Sequence, residues 1–560
     1  MKAKQNQSFM KNVSIILFSQ FAVKILGVVY RMVITNVDGF ENSGSGYYSA
    51  GFNVYTLLLA LSSVGIPNAI AKMTAEKIAL GDRRGAHRIF KTALLLFSSI
   101  GIVLTALLFI GAESIATYVI AMPGAANVLK ALSPSILFVC ISAVIRGYFN
   151  GMKDMSATSA SQILEQIFKC IFTIGIVLLM ASYMLFPDED TKAQLLAAGA
   201  NFATTIATVL SLLYLFVFYT KRRGTILSSF ENEIATTVEG SFVSVAKSIL
   251  MISVPISLGS IISAINRIVD TATITRGIRA GFSDIIPAHD NIPAIINPTL
   301  EQLDKEAARL SGQLAKSDTL LNLPIALNIA FATVLVPSLS SALAVGNKKE
   351  ASDKVSLSLL ISLLIILPCA VGYITFAKQI YQFLYPAVPD AYELLQLSSI
   401  ALIFIALNQT LSGSLQGCGK VYAPATGLFI GCIAKFILNV VLIRQPAINI
   451  YGAPISSIAC QVISFSYSFN VLKKSVDINF SFIRYILKPL LAALIMAVVS
   501  YPAYLAIYAI IKVNIIALFI AIIIAVFVYA ASVFSLGILK EDELSQIPMA
   551  DKLTRFIRKK

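Results

Sequence analysis

The sequence predicts an all-α polytopic membrane protein with fourteen transmembrane helices: two six-helix pseudo-symmetric lobes around a central cavity, plus two appended C-terminal helices. Three observations predict this class. Of 560 residues, 57% are apolar and only 13% charged, with a mean hydropathy of +0.80. Soluble domains carry about 25% charged residues, so most of this chain belongs in lipid. Apolar runs of about 20 residues, the length that crosses a bilayer, recur from end to end. Finally, half of the chain echoes the other half. Arg146 to Ile171 (RGYFNGMKDMSATSASQILEQIFKCI) matches Ser412 to Ile437 (SGSLQGCGKVYAPATGLFIGCIAKFI) at an offset of 266, pairing Gly147 with Gly413, Gly151 with Gly417 and Lys169 with Lys435. A second pair agrees: the run bearing Pro67 ends in Gly81-Asp82-Arg83-Arg84, and the run bearing Pro337 ends in Gly346-Asn347-Lys348-Lys349. A period of half the chain fits two lobes rather than a solenoid.

The spans, in order, are expected at 12–36, 46–71, 89–112, 127–150, 157–182, 194–220, 244–275, 319–345, 354–377, 392–416, 422–445, 450–472, 485–511 and 513–539. The first follows Lys2, Lys4 and Lys11, but it is too long for a secretory leader and contains Lys24 and Arg31, so it reads as a retained helix. Loop charges set the orientation. With the N-terminus cytoplasmic, the inside loops hold Lys72, Lys77, Arg83, Arg84, Arg88, Lys221, Arg222, Arg223, Lys348, Lys349, Lys473 and Lys474, and the basic tail 541–560 is inside too. The outside loops instead carry Asp38, Glu41, Asp188, Glu189 and Asp190. This asymmetry also accounts for a net charge of +15 without any nucleic-acid partner. The lobes are expected over 1–230 and 231–480, the appended helices over 481–540. Each lobe has an even helix count, so both insert the same way up.

One outside connection is long, 276–318, with Pro287, Pro293 and Pro298 followed by an amphipathic stretch from Leu300 to Lys316. Leu303, Ala307, Leu310 and Leu314 form its apolar stripe. Two readings are open, a lid over the outer mouth and a surface helix resting on the outer leaflet.

Charges inside spans are expensive and usually serve function. Lys24 and Arg31 stand seven residues apart on span 1, two turns and about 10 Å along one face. Neither has an acidic neighbour on its own helix. Arg146 closes span 4. Glu165 and Lys169 on span 5 are four apart and can pair with each other or serve transport. Asp270 on span 7 can pair within its helix with Arg267 or across the bundle with Lys435 of span 11, which also carries Asn439. Lys130, near a helix end, is expected to snorkel. With local pairs removed, positive charge remains, so a cavity lined by Lys24, Arg31, Arg146, Arg267 and Lys435 should prefer an anion. A guanidinium grips phosphate oxygens with two donors, an ammonium as a compact charge.

Several function classes are excluded. There is no Walker A loop, HExxH or nucleophile elbow, so an enzyme or a self-powered ATPase is not expected. The six cysteines lack CxxC spacing and read as small buried residues, and His87 and His289 are too few and too far apart for a histidine metal centre. Neither metal nor cofactor is expected.

The runs SSVGIPNAIAK from Ser62 to Lys72, RGYFNG from Arg146 to Gly151 and SQILEQ from Ser161 to Gln166 resemble the MurJ, YtgP and stage V sporulation protein B branch of the MOP exporter superfamily. The resemblance covers nearly the whole chain, and fourteen spans suit it better than the twelve of the drug exporters. It implies a flippase for lipid II, the undecaprenyl-pyrophosphate-linked peptidoglycan precursor. Two lobes would alternate in access, and basic cavity residues would meet the pyrophosphate. It implies a monomer in the bacterial plasma membrane, in contact with membrane lipids and with the cell-wall synthesis machinery as a candidate partner. Some members are proposed to bind sodium between helix 7 and helices 11 and 12, and here the ammonium of Lys435 would stand where that ion sits. A flippase for another polyprenyl-linked oligosaccharide, of capsule or teichoic-acid type, is the alternative. A cation-coupled drug exporter would want an acidic cavity and no spans 13 and 14.

Overall fold

The computed structural model describes residues 21–63, 65–228, 241–288, 293–344, 347–476 and 481–539. Lys2, Lys4, Lys11, His289 and the basic tail 541–560 lie outside the described residues. Fourteen helices follow one another: α1 (residues 21–35), α2 (Glu41–Ala79, with residue 64 outside the described set), α3 (Arg83–Ser114), α4 (Ala126–Gly151), α5 (Ser156–Tyr183), α6 (Glu189–Ser228), α7 (Phe242–Gly281), α8 (Leu300–Ala344), α9 (Lys348–Leu384), α10 (Tyr392–Gly417), α11 (Ala423–Leu442), α12 (Gly452–Lys473), α13 (Lys488–Ile511) and α14 (Asn514–Ser535). Among the described residues, twelve are long and apolar enough to cross a membrane; α1, described from residue 21, and α8 are not among them. The turns that punctuate the repeat are built alike. Asp82 caps α3 by accepting the Gly85 amide at 2.6 Å, and Asn347 caps α9 by accepting the Glu350 amide at 3.1 Å. A short side-chain acceptor at this position satisfies amides that the first helical turn leaves open.

The connection expected at 276–318 is largely helix. α7 runs on to Gly281, and α8 starts at Leu300 and continues without a break to Ala344. Only 282–299 link them, with a two-stranded antiparallel hairpin that pairs Ile285 with Ile296 and Ile286 with Ile295. The amphipathic stretch is therefore neither a separate lid nor a helix lying on the leaflet. Its stripe is buried, with Ala307 at 0% and Leu310 at 3% exposure. The charges that made it look interfacial are matched locally. Arg309 grips Glu306 through two bonds of 2.8 and 2.9 Å, and Arg279 of α7 holds Asp304 at 2.6 Å.

The chain divides into two compact units: Met1–Leu320 with Cys432–Ser456, and Leu321–Gly431 with Ser457–Lys560. In the first, α4 ends hard against α2. A methyl group on Gly147 would come within 2.8 Å of the Pro67 carbonyl, and one on Gly151 within 2.8 Å of the Ala71 carbonyl, which gives both glycines of the first repeat copy a packing reason. The start of α8 crosses α2 just as closely: a methyl on Gly46 would overlap the Ala308 carbonyl, and one on Gly312 the Asn42 carbonyl. Small residues at such crossings let helix backbones approach where lipid supplies no hydrophobic drive.

In the second unit, Asn328 of α8 donates to the Ala406 carbonyl at 2.9 Å and to Gln409 at 3.0 Å, and accepts from Ser362 at 2.6 Å. The appended helices are bolted to α9: Tyr529 donates to the Leu364 carbonyl at 2.9 Å, and Asn514 to the Gln379 carbonyl at 3.1 Å.

Candidate functional site

Within the first unit, α1, α2, α5, α7, the start of α8 and the start of the Cys432–Ser456 segment bring most of the intramembrane charges together. α1 carries Lys24, half-buried, and Arg31 two turns later. The Arg31 guanidinium lies over the Tyr48 ring at 3.9 Å from its centroid and donates to the Ser49 hydroxyl at 3.3 Å. Lys169 of α5, 8% exposed, places its ammonium 4.5 Å from the Phe52 ring and 5.5 Å from the Tyr30 ring. The tyrosine hydroxyls of residues 30 and 48 bond to each other at 3.1 Å.

The pairing open within α5 is not made. Glu165 takes Arg146 instead, Nη2 to Oε2 at 2.7 Å, and Arg146 also donates to Ser161 at 2.9 Å and to Ser211 at 3.0 Å. Arg146 thus ties α4, α5 and α6 together with its charge matched by Glu165. Lys130 likewise pairs with Glu113 at 2.6 Å rather than snorkelling alone.

Of the two partners open to Asp270, the distant one is taken. Lys435 reaches Oδ2 at 2.5 Å, and the Asn439 amide donates to Oδ1 at 3.0 Å and to Thr273 at 2.9 Å. Four residues apart on α11, the two side chains share a face and close on one carboxylate. Each carboxylate oxygen accepts an N–H donor, and the Lys435 ammonium, 3% exposed, supplies the charge that matches Asp270.

Beside the pair lies a cavity of about 40 Å³, room for a few water molecules. Ser49 and Asn53 of α2, Arg267 and Asp270 of α7, and Ser311 and Asp318 of α8 line it. Asn53 also donates to Thr271 at 3.0 Å. Six cations thus sort into two classes. Arg146 and Lys435 are neutralised by carboxylates and Arg267 shares its small cavity with Asp270 and Asp318, whereas Lys24, Arg31 and Lys169 make no salt bridge to a carboxylate among the described residues. Cations held in a spanning region without a salt bridge are costly to keep there.

Sequence reasoning missed Tyr30, Tyr48 and Phe52, because aromatic residues in an apolar run look like ordinary core. The sequence assigns Asp318 and Lys316, the latter 1% exposed, to the long outside connection 276–318, Lys316 at the end of its amphipathic stretch. One signal was available: Ser49 and Asn53 put a polar stripe of helical spacing on an otherwise apolar span.

Comparison with known proteins agrees with this architecture. Residues 9–286 match the family model described as polysaccharide biosynthesis protein, and residues 311–527 the model described as lipid II flippase MurJ. The lipid II flippase MurJ of Bacillus subtilis (strain 168) is 24% identical over 491 residues, covering 85% of this chain and 84% of that protein. Stage V sporulation protein B of the same organism is 24% identical over 553 residues, covering 98% and 99%. Among solved structures, a lipid II flippase MurJ in an inward closed conformation superposes with a TM-score of 0.65 at 17% identity, covering 92% of this chain and 97% of that one. The fold, the two matched models and the full-length relatives point the same way: over nearly its whole length the chain is similar to the lipid II flippase MurJ and to stage V sporulation protein B, and it has the all-helical transporter fold of the solved MurJ.

Proposed function

We propose that this protein is a flippase that carries lipid II from the inner to the outer leaflet of a bacterial plasma membrane, with both termini cytoplasmic. The observation that carries the reading is the set of three cations, Lys24, Arg31 and Lys169, gathered in one unit without a salt bridge to a carboxylate among the described residues, with Arg267 nearby. A pyrophosphate carries at least two negative charges and cannot enter hydrocarbon unaided. Fixed cations replace part of its lost hydration, and Arg31 supplies the two-donor fork suited to phosphate oxygens. The undecaprenyl chain stays in lipid while the head group crosses. Alternating access of the two lobes would expose the cations to each side in turn. Asp270 and Lys435 would act as an internal charge pair that needs no bound metal. The protein would work as a monomer beside the cell-wall synthesis machinery.

A second reading, a flippase for another polyprenyl-pyrophosphate oligosaccharide, is favoured by the match of residues 9–286 to a polysaccharide biosynthesis model and by the full-length likeness to stage V sporulation protein B. Both lipids share the pyrophosphate, so the cations do not separate them. Reconstitution does. Purified protein in vesicles holding fluorescent lipid II should make the inner-leaflet pool accessible to an impermeant quencher, and a polyprenyl-pyrophosphate glycan without the peptide should move more slowly. Equal rates would favour the second reading, and no movement of either lipid would refute both.

A further inference from the structure

We propose that Tyr48 and Phe52 are positioning residues: an aromatic seat that holds Arg31 and Lys169 by ring faces, so that both cations are fixed in place yet keep their full charge for an anionic ligand. The proposal rests on the anion-binding reading above and adds to it the means by which the cations are held.

A cation inside a membrane protein can be immobilised in two ways. A carboxylate partner fixes it but cancels its field, as Glu165 does for Arg146 and Asp270 for Lys435. An aromatic face attracts it through the ring quadrupole without adding a net charge. The molecule uses both devices, and it uses the second where the field is wanted. The Arg31 guanidinium lies over the Tyr48 ring at 3.9 Å from its centroid, and the Lys169 ammonium sits 4.5 Å from that of Phe52. The rings themselves cannot drift. Tyr48 is fully buried, its hydroxyl is tied to Tyr30 at 3.1 Å, and its ring stacks on Phe52 with centroids 5.8 Å apart. Tyr48 and Phe52 are one turn apart on α2. Ser49, which receives the Arg31 proton donor, and Asn53 repeat that spacing one residue later and line the small cavity. One stretch of α2 therefore presents the seat and the cavity wall together.

The test replaces the ring by other ways of meeting a cation. In the purified full-length protein, binding of undecaprenyl pyrophosphate is measured for Tyr48→Phe, Tyr48→Leu and Tyr48→Glu. Tyr48→Phe keeps the face and should bind within about twofold of the parent, while Tyr48→Leu should weaken binding about fivefold or more. Tyr48→Glu supplies a carboxylate to Arg31 and should abolish saturable binding while the protein stays folded. Parent-like binding by Tyr48→Glu, or equal losses in all three variants that track their melting temperatures, would overturn the proposal. A second measurement is independent of the lipid. The chain has no tryptophan, so Tyr48→Trp places a single reporter in the seat. Its emission should respond saturably to inorganic pyrophosphate, and the response should vanish when Arg31→Ala is added. No response would refute the seat. A response in a protein that moves no lipid would leave the seat standing and refute the flippase reading.

Discussion

At the scale of single residues, what matters is which charges are matched. Asp270 had two partners within reach on paper, and the structure gives it Lys435 and Asn439. The choice was not legible in the sequence, because it depends on α11 presenting both side chains to α7. The Glu165–Lys169 pairing failed for the same reason: Arg146 arrives from α4 with a guanidinium already steered by Ser161 and Ser211. Lys24 and Arg31 were legible, since a helix with no acidic neighbour cannot neutralise them itself. Asp270→Asn should leave the Lys435 ammonium buried and unmatched, lowering stability by about 3 kcal/mol or more, and adding Lys435→Met should recover much of the loss. Melting temperatures in detergent check both. Since the ammonium stands at the carboxylate, replacing sodium by potassium should leave transport unchanged. Strict sodium dependence would contradict the assignment of that site.

At the scale of elements, the apolar runs marked most helices, and their ends moved outward where polar caps extend the turns, as at Asp82 and Asn347. α8 was the exception. Its first third is charged, and hydropathy alone cannot tell a leaflet helix from one whose charges are matched by Glu306–Arg309 and Arg279–Asp304. The apolar stripe of Leu303, Ala307, Leu310 and Leu314 was visible, but its destination was not. That destination rests on the close crossing of α8 over α2. Gly312→Ala should press a methyl into the Asn42 carbonyl and destabilise the protein by about 1 to 3 kcal/mol. Gly259→Ala has no atom within 4 Å of the added methyl and should shift stability by less than about 0.5 kcal/mol. If both variants melt alike, α8 does not cross α2 at this distance.

At the scale of the whole molecule, the half-chain repeat showed where polar turns recur but not where the compact units divide. The contact-defined units split α8 near Leu320 and draw Cys432–Ser456 into the first unit, a division set by three-dimensional packing. Orientation is a matter of loop charge. In a cysteine-free background, Glu189→Cys and Asp284→Cys should react with an impermeant thiol reagent added outside intact cells, whereas Lys349→Cys and Lys474→Cys should not. The reverse pattern would overturn the orientation. The central claim is that helix-borne cations carry a lipid-linked pyrophosphate, and it is tested most directly by growth of cells depleted of their own lipid II flippase. The parent protein should restore growth, Arg31→Lys should restore it in part because charge remains without the two-donor fork, and Arg31→Ala should fail at normal membrane levels. Full rescue by a Lys24→Ala, Arg31→Ala double variant at parent protein levels would contradict the account.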